Sequence, residues 1–237
     1  MRMHFGRNLT AIGLAAIVVG GVAGTAIVLD VLMPELNGLE VCRTLRALLR
    51  RSGAAVETLE FADIRFEPVA CRASRDGRPL NLTKTEPALL ELFLRNPDRI
   101  LRPARSRGIG FELHLEECLV LVDPDAVHRA IANLLDNAVK WSPNGGTIRV
   151  ELRRTEDGHA ALGVRDQGPG IPPEDLPFVF DRFYRSPAAR ALPGSGLGLA
   201  IVRQIAEQHH GAVLARAGSP GAHILLRLPL SAHRPPS

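Results

Sequence analysis

Residues 194–211 read GSGLGLAIVRQIAEQHHG, with Gly194, Gly196 and Gly198 falling within five positions directly before an uninterrupted helical run. No other stretch constrains the fold as much. Glycines in that spacing bare the backbone N–H groups at a helix entrance, where the helix dipole adds partial positive charge, so the turn suits a phosphate. Taken alone the turn is a weak signal, because glycine turns before helices are common.

Three upstream segments share its chemistry. DPDAVHRAIANLLDNAVKW (123–141) predicts a strong amphipathic helix opened by Asp123-Pro124. Asn133 and Asn137 lie four apart and Lys140 three further, so the three share one stripe, while Ile131, Leu135, Ala138 and Val139 can face a sheet. An amide oxygen is a good Mg²⁺ ligand where waters and triphosphate oxygens complete the octahedron, and a lysine one turn on can neutralise phosphate charge. The same stripe by itself equally describes an Asn-rich solvent face. Next, Asp166-Gln167-Gly168-Pro169-Gly170 follows a strand-like run, where a carboxylate can accept from an adenine amino group and the glycines let a ring approach the backbone. FVFDRFYRS (178–186) then supplies an aromatic cluster just ahead of the glycine turn.

Around these segments FELHLEE, CLVLVD, TIRVEL (147–152) and AALGVRD (160–166) read as strands, and two closing strands follow a helix that runs to His210. The expected fold over 104–231 is a two-layer α/β sandwich, with helices on one face of a mixed sheet.

The order NLLDNAVKW, DQGPG, FDRFYR, GSGLGLAIV strongly resembles the catalytic ATP-binding domain of sensor histidine kinases of two-component systems, in the Bergerat-type superfamily with gyrase, MutL and the heat-shock chaperone. The resemblance covers about 104–231, leaving a tail at 232–237. It implies ATP and Mg²⁺ as cofactors and transfer of the γ-phosphoryl group to a histidine. By position, it implies Asn137 as the Mg²⁺ ligand, with Asn133 and Lys140 near the phosphates. Asp166 would read adenine, supported by Gly168 and Gly170. Phe180 and Phe183 would brace a mobile lid, and Arg185 would stabilise the γ-phosphoryl group. Gly194, Ser195, Gly196, Leu197 and Gly198 would hold the far end of the lid against the triphosphate. Trp141 stands where such kinases usually carry Tyr or Phe, and Gly221-Ala222-His223 lacks the hydroxyl residue often found near adenine. Hydrolytic relatives carry a glutamate four residues before the Mg²⁺ asparagine. Asn133 occupies that place here, and a neutral amide is no general base, so phosphotransfer is favoured over hydrolysis.

The first hundred residues differ in character. Residues 9–29 carry no charge and at about 1.5 Å per residue span roughly 30 Å, enough for a transmembrane or signal-anchor segment. Arg2 and Arg7 precede it, whereas Arg43, Arg46, Arg50 and Arg51 follow and compete for orientation. A single plasma-membrane span with a cytoplasmic catalytic domain is the expectation. Residues 30–57 resemble a fragment of a response-regulator receiver, with Asp30 at the acceptor position of a D-x-x-M-P pattern. However, no acid precedes Asp30 to hold Mg²⁺, and no Lys lies between it and Lys84. Residues 58–103 resemble the start of an OmpR/PhoB-type winged helix: short strands turning at Asp76-Gly77, then a helix through about Arg95 opened by Thr83 and Glu86. Pro87 departs from that pattern, and the recognition helix and wing are missing, so sequence-specific DNA binding is not expected.

Net charge is +4, and almost all the basic residues are scattered arginines, which gives no nucleic-acid footprint. Cys42, Cys71 and Cys118 are too far apart for a metal site or disulfide framework. The histidines, at 4, 114, 128, 159, 209, 210, 223 and 233, all lack the H-[ED]-x-R-x-P-like context of a phosphoacceptor, and no dimerising hairpin is evident. Transfer in trans is therefore expected, to a phosphoacceptor domain on a partner and onward to a response regulator. The competing readings are a non-catalytic ATP- or receiver-binding module, an inactive fusion remnant, and a DNA-binding regulator.

Overall fold

The computed structural model describes residues 57–83, 85–217 and 220–231. The expected membrane segment at 9–29 lies outside them, as does the receiver-like stretch apart from Glu57. Among the described residues no helix is long and apolar enough to cross a membrane. The chain divides into two compact units, one ending at Arg95 and the next beginning at Asn96.

The first unit is an antiparallel four-stranded meander, β1 (Leu59–Phe61), β2 (Ile64–Glu67), β3 (Arg72–Arg75) and β4 (Arg78–Leu80), followed by α1 (Glu86–Arg95). Ile64, Phe66 and Ala73 are buried on one face, as alternation along a half-buried sheet requires. Asp76 (φ 49°) and Gly77 (φ 74°) make the tight β3–β4 turn, a conformation with φ positive at both central residues that matches the strand twist. Glu86 Oε2 accepts from the Thr83 N–H at 2.6 Å, closing half of the capping box. Pro87 occupies the second position of α1, where its missing N–H would have no intrahelical partner anyway.

The second unit opens with a π-helical turn (Pro97–Leu101) and α2 (Arg102–Ser106). A five-stranded mixed sheet follows, in the order β5-β6-β7-β9-β8: β5 (Gly110–Leu115), β6 (Thr147–Arg154), β7 (His159–Arg165), β8 (Ala212–Ala217) and β9 (Ala222–Pro229). Only β5 and β6 are parallel, and they are joined by the crossover helix α3 (Pro124–Trp141). α3 and α4 (Gly198–Gln208) pack on each other and on the sheet, forming the second layer. The core between the layers holds Leu134, Leu135 and Val139 from α3, Val202 and Ile205 from α4, and Ile148, Val150, Val164, Ile224 and Leu226 from the sheet. CLVLVD, expected as a strand, contributes only an isolated bridge between Val120 and Leu230.

Both ends of α3 are held by side chains. Asp123 caps the first turn, accepting from Asp125 N–H at 2.9 Å and Ala126 N–H at 3.3 Å. Arg107 closes the last turn by donating to the carbonyls of Val139 (2.7 Å) and Ser142 and to Asn144 Oδ1 (2.9 Å). Charge-assisted bonds to orphan carbonyls are worth about 1.5–3 kcal/mol. Arg107→Ala is accordingly expected to destabilise this unit by about 2 kcal/mol in urea denaturation.

Candidate functional site

The carboxyl end of β7 and the polar stripe of α3 meet the loop that precedes α4, with Gly168 against Trp141 and Lys140 against Pro193 and Gly194. Asp166 follows β7 directly and is only 4% exposed. Its Oδ1 accepts from the Gly168 N–H at 2.8 Å and the Ala222 N–H at 3.2 Å. Both bonds end on one oxygen, so Oδ2 is available to an incoming donor. Burial pushes the Asp166 carboxyl above the usual carboxylate range, and the two backbone donors partly counter this. Two glycines make the nest possible. A Cβ on Gly168 would lie 2.4 Å from the Trp141 carbonyl oxygen, and one on Gly221 (φ +88°) only 1.8 Å from the Asp166 carbonyl oxygen.

On α3, Asn133 is buried, whereas Asn137 and Lys140 are half-buried. Asn133 Oδ1 accepts from Arg99 at 2.9 Å, while its Nδ2 is buried with no hydrogen-bond partner among the described residues. That orphaned donor is what a site for an oxygen-rich ligand would leave behind, and it fits a triphosphate. Lys140 Nζ donates to the Pro193 carbonyl and stands 2.7 Å from where a Gly194 Cβ would sit. Burial lowers the Lys140 pKa and the nearby Arg185 cation lowers it further, while Asp136 opposes both. Arg185 donates to the carbonyls of Ala189 and Leu192, so both cations hold the backbone of the loop over 186–193.

The loop ahead of α4 is also anchored at its base. The Phe183 N–H (φ 64°) donates to the Gly196 carbonyl at 3.1 Å, and a Cβ on Gly196 would lie 2.8 Å from the Tyr184 carbonyl oxygen. Tyr184 Oη donates to Asp175 Oδ1 at 2.5 Å, and its ring lies 5.6 Å from that of Phe178. Phe180 is half-buried, whereas Phe183 is 70% exposed. α4 starts at Gly198 after Leu197, with no side-chain cap, so its first N–H groups face the loop that carries Gly194, Ser195 and Gly196.

Of the histidine pair behind the glycine turn, His209 is structural. His209 Nδ1 donates to the Ile205 carbonyl at 2.8 Å, and Nε2 accepts from the Asp123 N–H at 2.9 Å. A ring that donates and accepts in this way is a neutral tautomer tying the end of α4 to the cap of α3, rather than a charge at a helix terminus. Sequence reasoning missed Arg99, Arg107 and the Asp175–Tyr184 pair. Nothing in the spacing of those residues links them to their partners: Arg99 and Arg107 reach α3 from separate elements, and Asp175 and Tyr184 meet across an irregular loop.

Among the described residues no cluster of three His, Cys, Asp or Glu side chains could hold a metal, so a divalent ion here would rely on an amide and on ligand oxygens. Residues 122–232 match the family described as histidine kinase-, DNA gyrase B-, and HSP90-like ATPase. The chain is 48% identical over 139 residues to the signal transduction histidine-protein kinase/phosphatase MprB of Mycolicibacterium smegmatis, covering 56% of this chain and 28% of that protein. Against the protein of the same name from Mycobacterium leprae the identity is 44% over 131 residues, covering 55% of this chain and 25% of the relative. The chain thus spans about a quarter of the length of these relatives. A solved mycobacterial sensor histidine kinase MprB structure superposes with a TM-score of 0.53 at 44% identity, covering 60% of this chain and 95% of that one. The ordered nest, stripe, lid and uncapped helix, with a relative matched over nearly its whole solved length, place this chain in the sensor histidine kinase family through its ATP-binding catalytic domain.

Proposed function

We propose that this chain binds ATP with Mg²⁺ and passes the γ-phosphoryl group to a histidine on a partner protein, which in turn supplies a response regulator. Asp166 accepts the adenine amino group on Oδ2, and Asn137 offers its amide oxygen to the metal. Lys140 and Arg185 exchange lid carbonyls for phosphate oxygens as the lid closes. Mg²⁺ held by the Asn137 amide would neutralise charge on the phosphate oxygens. The observation that carries this reading is the buried carboxylate at the end of β7, with one oxygen bonded to backbone and the other left to a donor.

The missing H-[ED]-x-R-x-P-like context supports transfer in trans, and four of the six described histidines are paired or half-buried within the fold. His114 sits on a strand 2.9 Å from Glu112, His159 lies against its own hairpin at Asp157, and His209 is fully bonded. His223 is half-buried, and burial pushes its pKa down. Residues 9–29 would tether the domain on the cytoplasmic side of the membrane, which protease protection of membranes would test.

Incubation with labelled ATP and a helical-hairpin phosphoacceptor domain tests transfer. Label should pass to the hairpin with the wild-type chain and fall at least a hundredfold with Asn137→Ala, as loss of a charge-stabilising contact in phosphoryl transfer predicts. Equal labelling by both would overturn the metal-ligand role. Tight nucleotide binding without transfer would favour a non-catalytic module.

A further inference from the structure

Arg99 lies outside the four sequence motifs and outside the matched family segment. It sits on the π-helical turn Pro97–Leu101, whose Ile100 and Leu101 are buried and fix the backbone. From there Nη2 reaches α3, donating to Asn133 Oδ1 at 2.9 Å and to Asp136 Oδ2 at 2.8 Å. Asn133 and Asp136 are three residues apart, so one guanidinium spans a single helical turn.

This contact determines which way the Asn133 amide points. A guanidinium has donors only, so the amide oxygen must face Arg99 and the amino group must face away. That amino group is the buried donor without a partner. Buried donors persist unpaired where a ligand supplies the acceptor. With Oδ1 engaged by a guanidinium, a metal ion at that oxygen is electrostatically disfavoured, and the unpartnered amino group is left as a donor to oxygen. Asp136 accepts from the same Nη2 and offsets the guanidinium charge.

We infer that Arg99 is a positioning residue for the nucleotide: it locks Asn133 with its amino group toward the triphosphate oxygens and leaves the metal to Asn137. The inference rests on the ATP reading above. It also predicts that trimming the domain at the family boundary, residue 122, removes a nucleotide-binding contact along with β5.

Calorimetric titration of the full chain with ATP tests it, using wild type, Arg99→Ala, Asn133→Ala and the double variant, each with Mg²⁺ and with chelator. Arg99→Ala should weaken binding about tenfold, the scale of one hydrogen bond to a charged group. The double variant should bind no more weakly than Asn133→Ala, because Arg99 acts through that amide. The tenfold loss should also persist in chelator, since the contact reaches phosphate and not metal. If Arg99→Ala unfolds the domain in thermal melts, Arg99→Met keeps the aliphatic stem and removes only the donors. Unchanged or tighter binding by a folded Arg99 variant would overturn the inference, the tighter case making Arg99 a plug. Additive losses in the double variant, or a loss confined to Mg²⁺, would also overturn it. Absence of ATP binding by the wild-type chain would overturn the nucleotide reading and this inference together.

Discussion

Gly221→Ala is expected to lower the thermal midpoint of the catalytic domain by on the order of 10 °C and to abolish measurable ATP binding. The added Cβ would lie 1.8 Å from the Asp166 carbonyl oxygen and 2.6 Å from its carbonyl carbon, both backbone atoms that no side-chain rotation can move. β9 would have to withdraw from the end of β7, breaking the Asp166 N–H to Ala222 carbonyl bond at 3.1 Å and the Ala222 N–H to Asp166 Oδ1 bond at 3.2 Å. Left-handed strain at φ +88° adds about 1–2 kcal/mol and overpacking about 1–3 kcal/mol, together the severe end of single substitutions. Gly158→Ala is the control. Its φ is +78° with nothing within 4 Å, so it should show the backbone strain alone, about 1 kcal/mol. Equal losses at the two positions, measured by thermal and urea denaturation, would contradict the close-approach account.

Asp166→Asn should separate binding from stability in opposite directions. The variant can keep an oxygen on the Gly168 and Ala222 N–H groups, which puts an amino group where Oδ2 had faced the ligand. Two donors would then meet at the adenine amine, and ATP affinity should fall about a hundredfold, the worth of a hydrogen bond to a charged acceptor. Stability should not fall with it. The Asp166 carboxyl titrates above its ordinary value in the folded chain, chiefly because of burial, so ionising it disfavours the native state. That penalty is absent below the unfolded-state value near pH 4 and grows as pH rises through it, levelling off above the raised native value. Asp166→Asn should therefore match wild type at low pH and equal or exceed it in thermal midpoint at neutral pH. A neutral-pH loss of stability comparable to the binding loss would mean that Asp166 is a structural carboxylate.

Much of the catalytic unit can be read directly from the chain because its signals are local. Asp123-Pro124 starts α3 where a side-chain cap and a preset φ predict. The 3.6-residue period of buried Leu135, Ala138 and Val139 sets the face of that helix. Strand alternation yields β6 and β7 to within a few residues. CLVLVD shows where local signals stop. Its alternation suits a strand, but residues 116–123 run from β5 into α3 with scattered backbone bonds, Glu116 N–H to the Leu152 carbonyl and Ser231 N–H to the Leu119 carbonyl, and one isolated bridge, Val120 to Leu230. β5 pairs with β6 on its inner side, and among the described residues no strand is assigned to its outer edge.

The sequence by itself determined the four motifs, their order, the helices that carry them and the family to which they belong. Each depends on periodicity, turn chemistry or spacing, which act within a few residues. Only the tertiary structure decided how those residues are held. It put Arg99 on Asn133 across 34 positions, Lys140 on Pro193 across 53 and Ala222 on Asp166 across 56. It also turned Arg185 onto lid carbonyls and made His209 a neutral strut between two helices. Burial and hydrogen-bond satisfaction set these outcomes, and both depend on which distant backbone a side chain meets once the two layers close.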